Sequence, residues 1–165
     1  MRLLNTKTLE IEDDQDWLER PDYAILSHRW EPKEVTFTSL SQNPALLKSD
    51  PSSLAEGLRA SARKIRGACA KARIENPTLD YLWTDTCCID KTNSEELREA
   101  LNSMFMWYHE ASVCYTFLGD VTFSGQTGND MFKCDAKLDG NKASEWFERG
   151  YVNEHIITAQ SPQVC

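Results

Sequence analysis

A chain of 165 residues with a formal net charge of −8 is most simply one domain, long enough to bury roughly 70% of the surface that its unfolded form exposes. Lys and Arg are dispersed and outnumbered by Asp and Glu, which leaves no basic stripe for a nucleic-acid backbone or an anionic membrane surface. No apolar run reaches the ~18 residues of a bilayer span, and Met1-Arg2-Leu3-Leu4 leads into polar residues rather than a signal-peptide core, so the chain reads as intracellular.

In chain order, residues 1–12 alternate weakly and suit a short edge strand or hairpin, and the acidic stretch that follows ends at Pro21. Tyr23-Ala24-Ile25-Leu26 is the first strong strand pattern, running into Ser27-His28-Arg29-Trp30. Residues 31–51 are polar and carry prolines at 32, 44 and 51, which predicts a long loop. From Ser53 the residues Leu54, Leu58, Ile65, Cys69 and Ala72 recur at helical spacing, with Ser52 or Ser53 placed to cap the start and Pro77 closing the run.

Tyr81 to Thr86 is aromatic and β-branched and reads as a second strand. Asn93 or Ser94 can cap the next helix, where Glu95, Glu96 and Glu99 suit the positive end of the macrodipole. Its expected core face is Leu97, Leu101, Met104, Phe105 and Tyr108, with His109 on the polar side. Val113-Cys114-Tyr115-Thr116-Phe117-Leu118 makes a third strand. The order strand, helix, strand, helix, strand predicts an α/β fold with parallel pairing and right-handed crossovers. Residues 121–142 read as an exposed insertion, and Ser144 is placed to cap a short helix at Glu145-Trp146-Phe147.

The six cysteines read as buried packing groups rather than a disulfide set. Cys87 and Cys88 are adjacent, so on a strand they point to opposite faces, and no C-x₂-C or H-x₃-H spacing suggests a metal site.

Chemistry in open α/β sheets gathers where strands end and helices begin. Two such edges stand out: Ser27-His28-Arg29-Trp30, and Thr84-Asp85-Thr86-Cys87-Cys88-Ile89-Asp90-Lys91. The functional reading makes Ser27 a phosphate or ribose contact, Arg29 a phosphate partner through its planar fork, and Trp30 a stacking wall. Asp85 would hold a ribose hydroxyl or orient His28, the group suited to proton transfer near neutral pH. The structural reading is a loop closed by a packed tryptophan, with Arg29 paired to a carboxylate and Asp85 capping a turn. Neither GxGxxG nor GxxxxGK[ST] occurs.

Four ordered stretches carry a family resemblance. Ala24-Ile25-Leu26-Ser27-His28-Arg29-Trp30, Tyr81 through Lys91, Asn102-Ser103-Met104-Phe105-Met106-Trp107-Tyr108, and Ala143-Ser144-Glu145-Trp146-Phe147-Glu148-Arg149-Gly150 resemble the motifs of the fungal heterokaryon incompatibility (HET) domain. The resemblance covers about residues 1–150. It implies a cytosolic fungal protein of self/non-self recognition whose activation leads to growth arrest or cell death. It also implies a fold like the Toll/interleukin-1 receptor (TIR) domain, a flavodoxin-like, mostly parallel sheet flanked by helices.

Some TIR domains cleave NAD at the nicotinamide–ribose bond with a glutamate on a helix, so NAD is the implied substrate and no further cofactor is expected. The family pattern continues past Arg149-Gly150 to a Gln-Glu-Leu. A gapless match puts His155 at that glutamate and Glu154 one residue before it, which makes Glu154 one catalytic candidate. Glu96, on a matched family position near the rim, is the other. The implied partners are other HET or TIR-like domains or a parent receptor, with oligomerisation on activation. The alternatives are a non-catalytic homotypic module and a truncated, inactive product. Residues 151–165 match nothing in the family pattern, and Gly150-Tyr151-Val152 can be encoded through GTATGT, a typical fungal splice donor. The tail therefore reads as translated intron replacing a true last helix.

Overall fold

The computed structural model describes residues 1–13 and 18–119, and residues 162–164 as backbone. Its strands are β1 (Arg2–Asn5), β2 (Ile11–Asp13), β3 (Tyr23–His28), β4 (Tyr81–Trp83), β5 (Val113–Phe117) and β6 (Pro162–Val164). The helices are α1 (Phe37–Gln42), α2 (Glu56–Glu75) and α3 (Ser94–Glu110). Among the described residues the sheet has six strands in the order β2-β1-β4-β3-β5-β6.

The α/β expectation holds, and the three strands read from the sequence as parallel are so. β3 pairs parallel with β4 on one side and with β5 on the other, and β5 pairs parallel with β6. The sheet is mixed because the N-terminal hairpin joins it antiparallel: β1 pairs with β2 and with β4. β1 is thus an interior strand, and only β2 of the hairpin lies at an edge. In the hairpin turn the Asn5 carboxamide accepts from the amides of Lys7 and Thr8, and Leu9 takes a positive φ of 57° to close it.

All six residues of β3 are buried, as a central strand covered on both faces requires. α2 lays Ser61, Ala62, Lys64, Ile65, Ala68, Cys69 and Ala72 into the core. It begins at Glu56 behind Ala55, which makes no side-chain cap, rather than at the serines. The reason is local: Asp50 accepts from the amide and hydroxyl of Ser52 and holds Pro51–Ser53 in a 3-10 turn.

Residues 31–51 are not entirely loop. Thr36 and Ser39 cap one another reciprocally and start α1, which inserts Leu40 into the core. The capping box carries Ser in place of the usual Glu or Gln, so the pattern was inconspicuous. The second parallel strand is also shorter than its aromatic and β-branched run, since the chain turns after Trp83 and the amide of Cys88 donates to the Thr84 carbonyl.

α3 starts at Asn93, whose side chain accepts from the amides of Glu95 and Glu96. Its inward face is Leu97, Ala100, Met104, Trp107 and Tyr108, whereas Leu101 and Phe105 are exposed, contrary to the sequence reading. The rotation follows from Trp83, whose ring meets Trp107 at 5.5 Å and Tyr108 at 6.1 Å, both edge-on. The Tyr23 hydroxyl donates to the Trp107 carbonyl at 2.6 Å and fixes the same register. His109 is exposed, as expected. The insertion expected at 121–142, the helix expected at Glu145 and the intron-like tail lie outside the described residues, apart from the backbone of β6.

Candidate functional site

β3 is flanked by β4 and β5, and all three run the same way, so their carboxyl ends open onto one rim. Ser27 and His28 are the last residues of β3 and are buried, opposite Thr116 and Phe117 of β5 in register. Arg29 and Trp30 follow the strand and are exposed.

Trp30 and Asp85 meet there, as the sequence reading required of a rim. The indole Nε1 of Trp30 donates to Asp85 Oδ2 at 3.0 Å. Lys91, which the sequence reading did not single out, completes the corner: its ammonium lies 3.8 Å from Asp85 Oδ2 and 3.4 Å from the centre of the Trp30 ring. The first role for Asp85 is therefore to orient Trp30 and Lys91.

Beneath this corner lies a buried polar network that the sequence reading missed. Glu34 Oε1 accepts from Lys64 Nζ at 2.7 Å and from the Glu31 amide at 2.6 Å, while Glu34 Oε2 accepts from the Ser61 hydroxyl. Lys64 Nζ also donates to the Arg29 carbonyl at 3.2 Å, and Ser61 Oγ accepts from the Val35 amide at 2.9 Å. His28 Nε2 lies 3.9 Å from Glu34 Oε1. The side chains of Lys64 and His28 are 1% exposed and that of Glu34 is 6% exposed, so this network is almost wholly out of water. The network fastens the segment carrying Arg29 and Trp30 onto α2. A signal for it existed, since Ser61 and Lys64 fall on the same helical stripe as Ala68 and Ala72.

Glu96 sits in the first turn of α3. Its carboxylate pairs with Arg2 and accepts from the Asp90 amide at 2.7 Å, binding the start of α3 to β1. The Arg2 guanidinium also stacks on Phe37, 3.9 Å from the ring centre. Glu154 and His155 lie outside the described residues. Two clefts flank Arg2: one of about 430 Å³ bordered by Leu9, Phe37, Leu40 and Pro44, and one of about 250 Å³ bordered by Cys88, Glu96 and Trp107. Neither is lined by Ser27, His28, Arg29, Trp30, Asp85 or Lys91.

The cysteines 69, 87, 88 and 114 are buried free thiols. Burial pushes the Cys69 thiol up to about 12. The Cys87 thiol is raised as well, first by its hydrogen bond with Cys88 and then by burial. Such thiols are poor nucleophiles and poor metal ligands. Among the described residues no cluster of three His, Cys, Asp or Glu side chains is placed to hold a metal ion, and no helix is long and apolar enough to cross a membrane.

These features define an α/β domain with a tryptophan, an acid and a lysine gathered at the carboxyl ends of its parallel strands. The family model for heterokaryon incompatibility proteins (HET) matches residues 23–160, and the chain belongs to that family. It is also similar to the vegetative incompatibility protein HET-E-1 of Podospora anserina, with 36% identity over 148 residues, covering 86% of this chain. That stretch is 9% of the relative's own length, so the chain corresponds to a small part of a much larger protein. No solved structure matches the chain.

Proposed function

We propose that this chain is the cytoplasmic signalling domain of a fungal incompatibility system, in which self/non-self recognition leads to growth arrest or cell death, and that it acts by TIR-like cleavage of NAD. The observation that carries this reading is the rim: in the parallel order β4-β3-β5-β6, which suits a flavodoxin-like sheet, Trp30, Asp85 and Lys91 converge where such sheets bind nucleotides. Arg29 and Lys91 offer charge to a pyrophosphate, and Ser27 and Asp85 offer polar groups to a ribose. In the reaction the bond between ribose C1′ and nicotinamide N1 breaks, and nicotinamide leaves with the bonding pair. Water then adds to C1′ and releases a proton to solvent. A fixed carboxylate stabilises the positive charge that develops on the ribose, a role open to Asp85 at the corner and to Glu154 in the tail. Activation by oligomerisation with other HET or TIR-like domains, or within a parent receptor, raises the local concentration of such sites.

A second reading is a non-catalytic homotypic interaction module. Leu101 at 62% exposure and Met106 at 47% give α3 exposed apolar side chains suited to contact between copies.

NAD turnover by purified chain clustered on a scaffold separates these readings. Release of nicotinamide that is lost in Asp85→Asn or in Glu154→Ala supports cleavage and assigns the carboxylate. Folded, clustered protein that releases none refutes cleavage. Concentration-dependent self-association abolished by Leu101→Glu then supports the interaction module.

A further inference from the structure

The corner that a nucleotide would enter already holds a cation. Lys91 Nζ sits 3.4 Å above the centre of the Trp30 ring, which is as close as an ammonium approaches an indole face. The Trp30 N–H donates to the Asp85 carboxylate, which fixes the ring and draws positive charge to its edge. That carboxylate is also 3.8 Å from Lys91 Nζ. An indole face, with an anion at its edge and a cation on top, is a receptor for positive charge with an internal occupant.

We propose that Trp30 and Asp85 form the subsite for a planar cationic ring, the pyridinium of an oxidised nicotinamide, and that Lys91 is a tethered competitor which the ring displaces. The proposal rests on reading this rim as the nucleotide site and names the part of the substrate it takes. A pyridinium spreads its charge over a flat ring and is less hydrated than an ammonium, so it covers the indole face more fully and is desolvated more easily, as a guanidinium is. Trp30 is 47% exposed, which leaves indole surface for a ring to reach. Once displaced, the Lys91 ammonium remains beside the site as a partner for the phosphates of the same ligand. A neutral ring, whether nicotinamide or a reduced dihydropyridine, gains no cation–π attraction and leaves Lys91 in place. The corner thus distinguishes oxidised from reduced dinucleotide and releases the neutral product of cleavage.

The test uses the full chain and reads binding rather than turnover. The Trp30 indole N–H resonance, assigned by its loss in Trp30→Leu, is followed by NMR during titration with N-methylnicotinamide and, separately, with neutral nicotinamide. The expected result is a saturable shift of that resonance with the cation and a far weaker one with the neutral ring. Lys91→Ala should bind the cation roughly two- to fivefold more tightly, the worth of one exposed cation–π contact, and Asp85→Asn should bind it more weakly. Equal response to both rings, no change or weaker binding in Lys91→Ala, or a response confined to other indoles overturns the proposal. Saturable binding at Trp30 by a chain that cleaves no NAD would refute the cleavage reading alone, whereas cleavage without a Trp30 response would refute this subsite alone.

Discussion

Replacing Lys64 with methionine removes one member of an ion pair whose side chains are 1% and 6% exposed. The Glu34 carboxylate then keeps the Ser61 hydroxyl and the Glu31 amide but loses the cation that offsets its desolvation. Breaking a buried pair from one side typically costs about 3–5 kcal/mol, which for a chain of this size lowers the melting temperature by roughly 6–20 °C. Glu34→Leu should cost a similar amount, since it leaves the Lys64 ammonium with only the Arg29 carbonyl among these partners. The double variant behaves differently, because neither charge remains to be desolvated. Its residual loss is that of the Glu31 amide and Ser61 hydroxyl deprived of their acceptor and the Arg29 carbonyl deprived of its donor, up to about 1–3 kcal/mol for each that water does not reach. Urea denaturation of the four proteins closes the cycle. A Lys64→Met loss under about 1 kcal/mol, or a double variant as unstable as the sum of the singles, would refute the argument that buried charge rather than packing volume governs this site.

Asn93→Ala removes the side-chain acceptor for two amides at the start of α3 and should cost about 1 kcal/mol, a few degrees in a thermal melt, while Asn93→Ser should cost much less. Glu96→Gln breaks the pair with Arg2 but retains an acceptor for the Asp90 amide, so chemical denaturation should show a loss of about 1–2 kcal/mol. The raised thiols of Cys69 and Cys87 set an alkaline limit. The fold favours their protonated form, whereas in the unfolded chain they ionise near 8.5, so their contribution is complete below about 8.5 and is lost at higher pH, for Cys69 as the pH rises toward about 12. Urea midpoints should accordingly fall through that window. Native protein should resist iodoacetamide at Cys69 and Cys87 under mildly alkaline conditions that alkylate the unfolded chain, and rapid native alkylation would contradict their burial.

The alternation of strand and helix was legible because it is written in local periodicity. An all-buried run at 23–28, a 3.6-residue stripe from Leu58 to Ala72 and a third apolar run at 113–117 need no knowledge of their neighbours. The rim followed, since parallel strands joined by helices bring Ser27, His28, Arg29, Trp30 and Asp85 to one edge. The family was legible for the same reason, as its motifs sit at these strand and helix boundaries.

What the sequence left open depends on residues distant in the chain. The start of α2 was settled by Asp50 capturing Ser52, and the capping box of α1 was hidden by a serine where an acid or amide is usual. The face of α3 turned on Trp83 and Tyr23, which anchor Trp107 and Tyr108 and leave Leu101 and Phe105 outward, although either set of positions satisfies helical spacing. Glu34 and Lys91 carry no mark that separates them from solvated charges, and Lys64 carries only its place on the apolar stripe of α2. Their roles exist only once the loop after β3 folds against α2 and the turn after β4 brings Lys91 over Trp30. Periodicity fixes which side of an element is apolar because it reflects that element alone. The pairing of buried charges, and the choice between two adequate apolar faces, is decided by the packing partner, and only the tertiary structure supplies it.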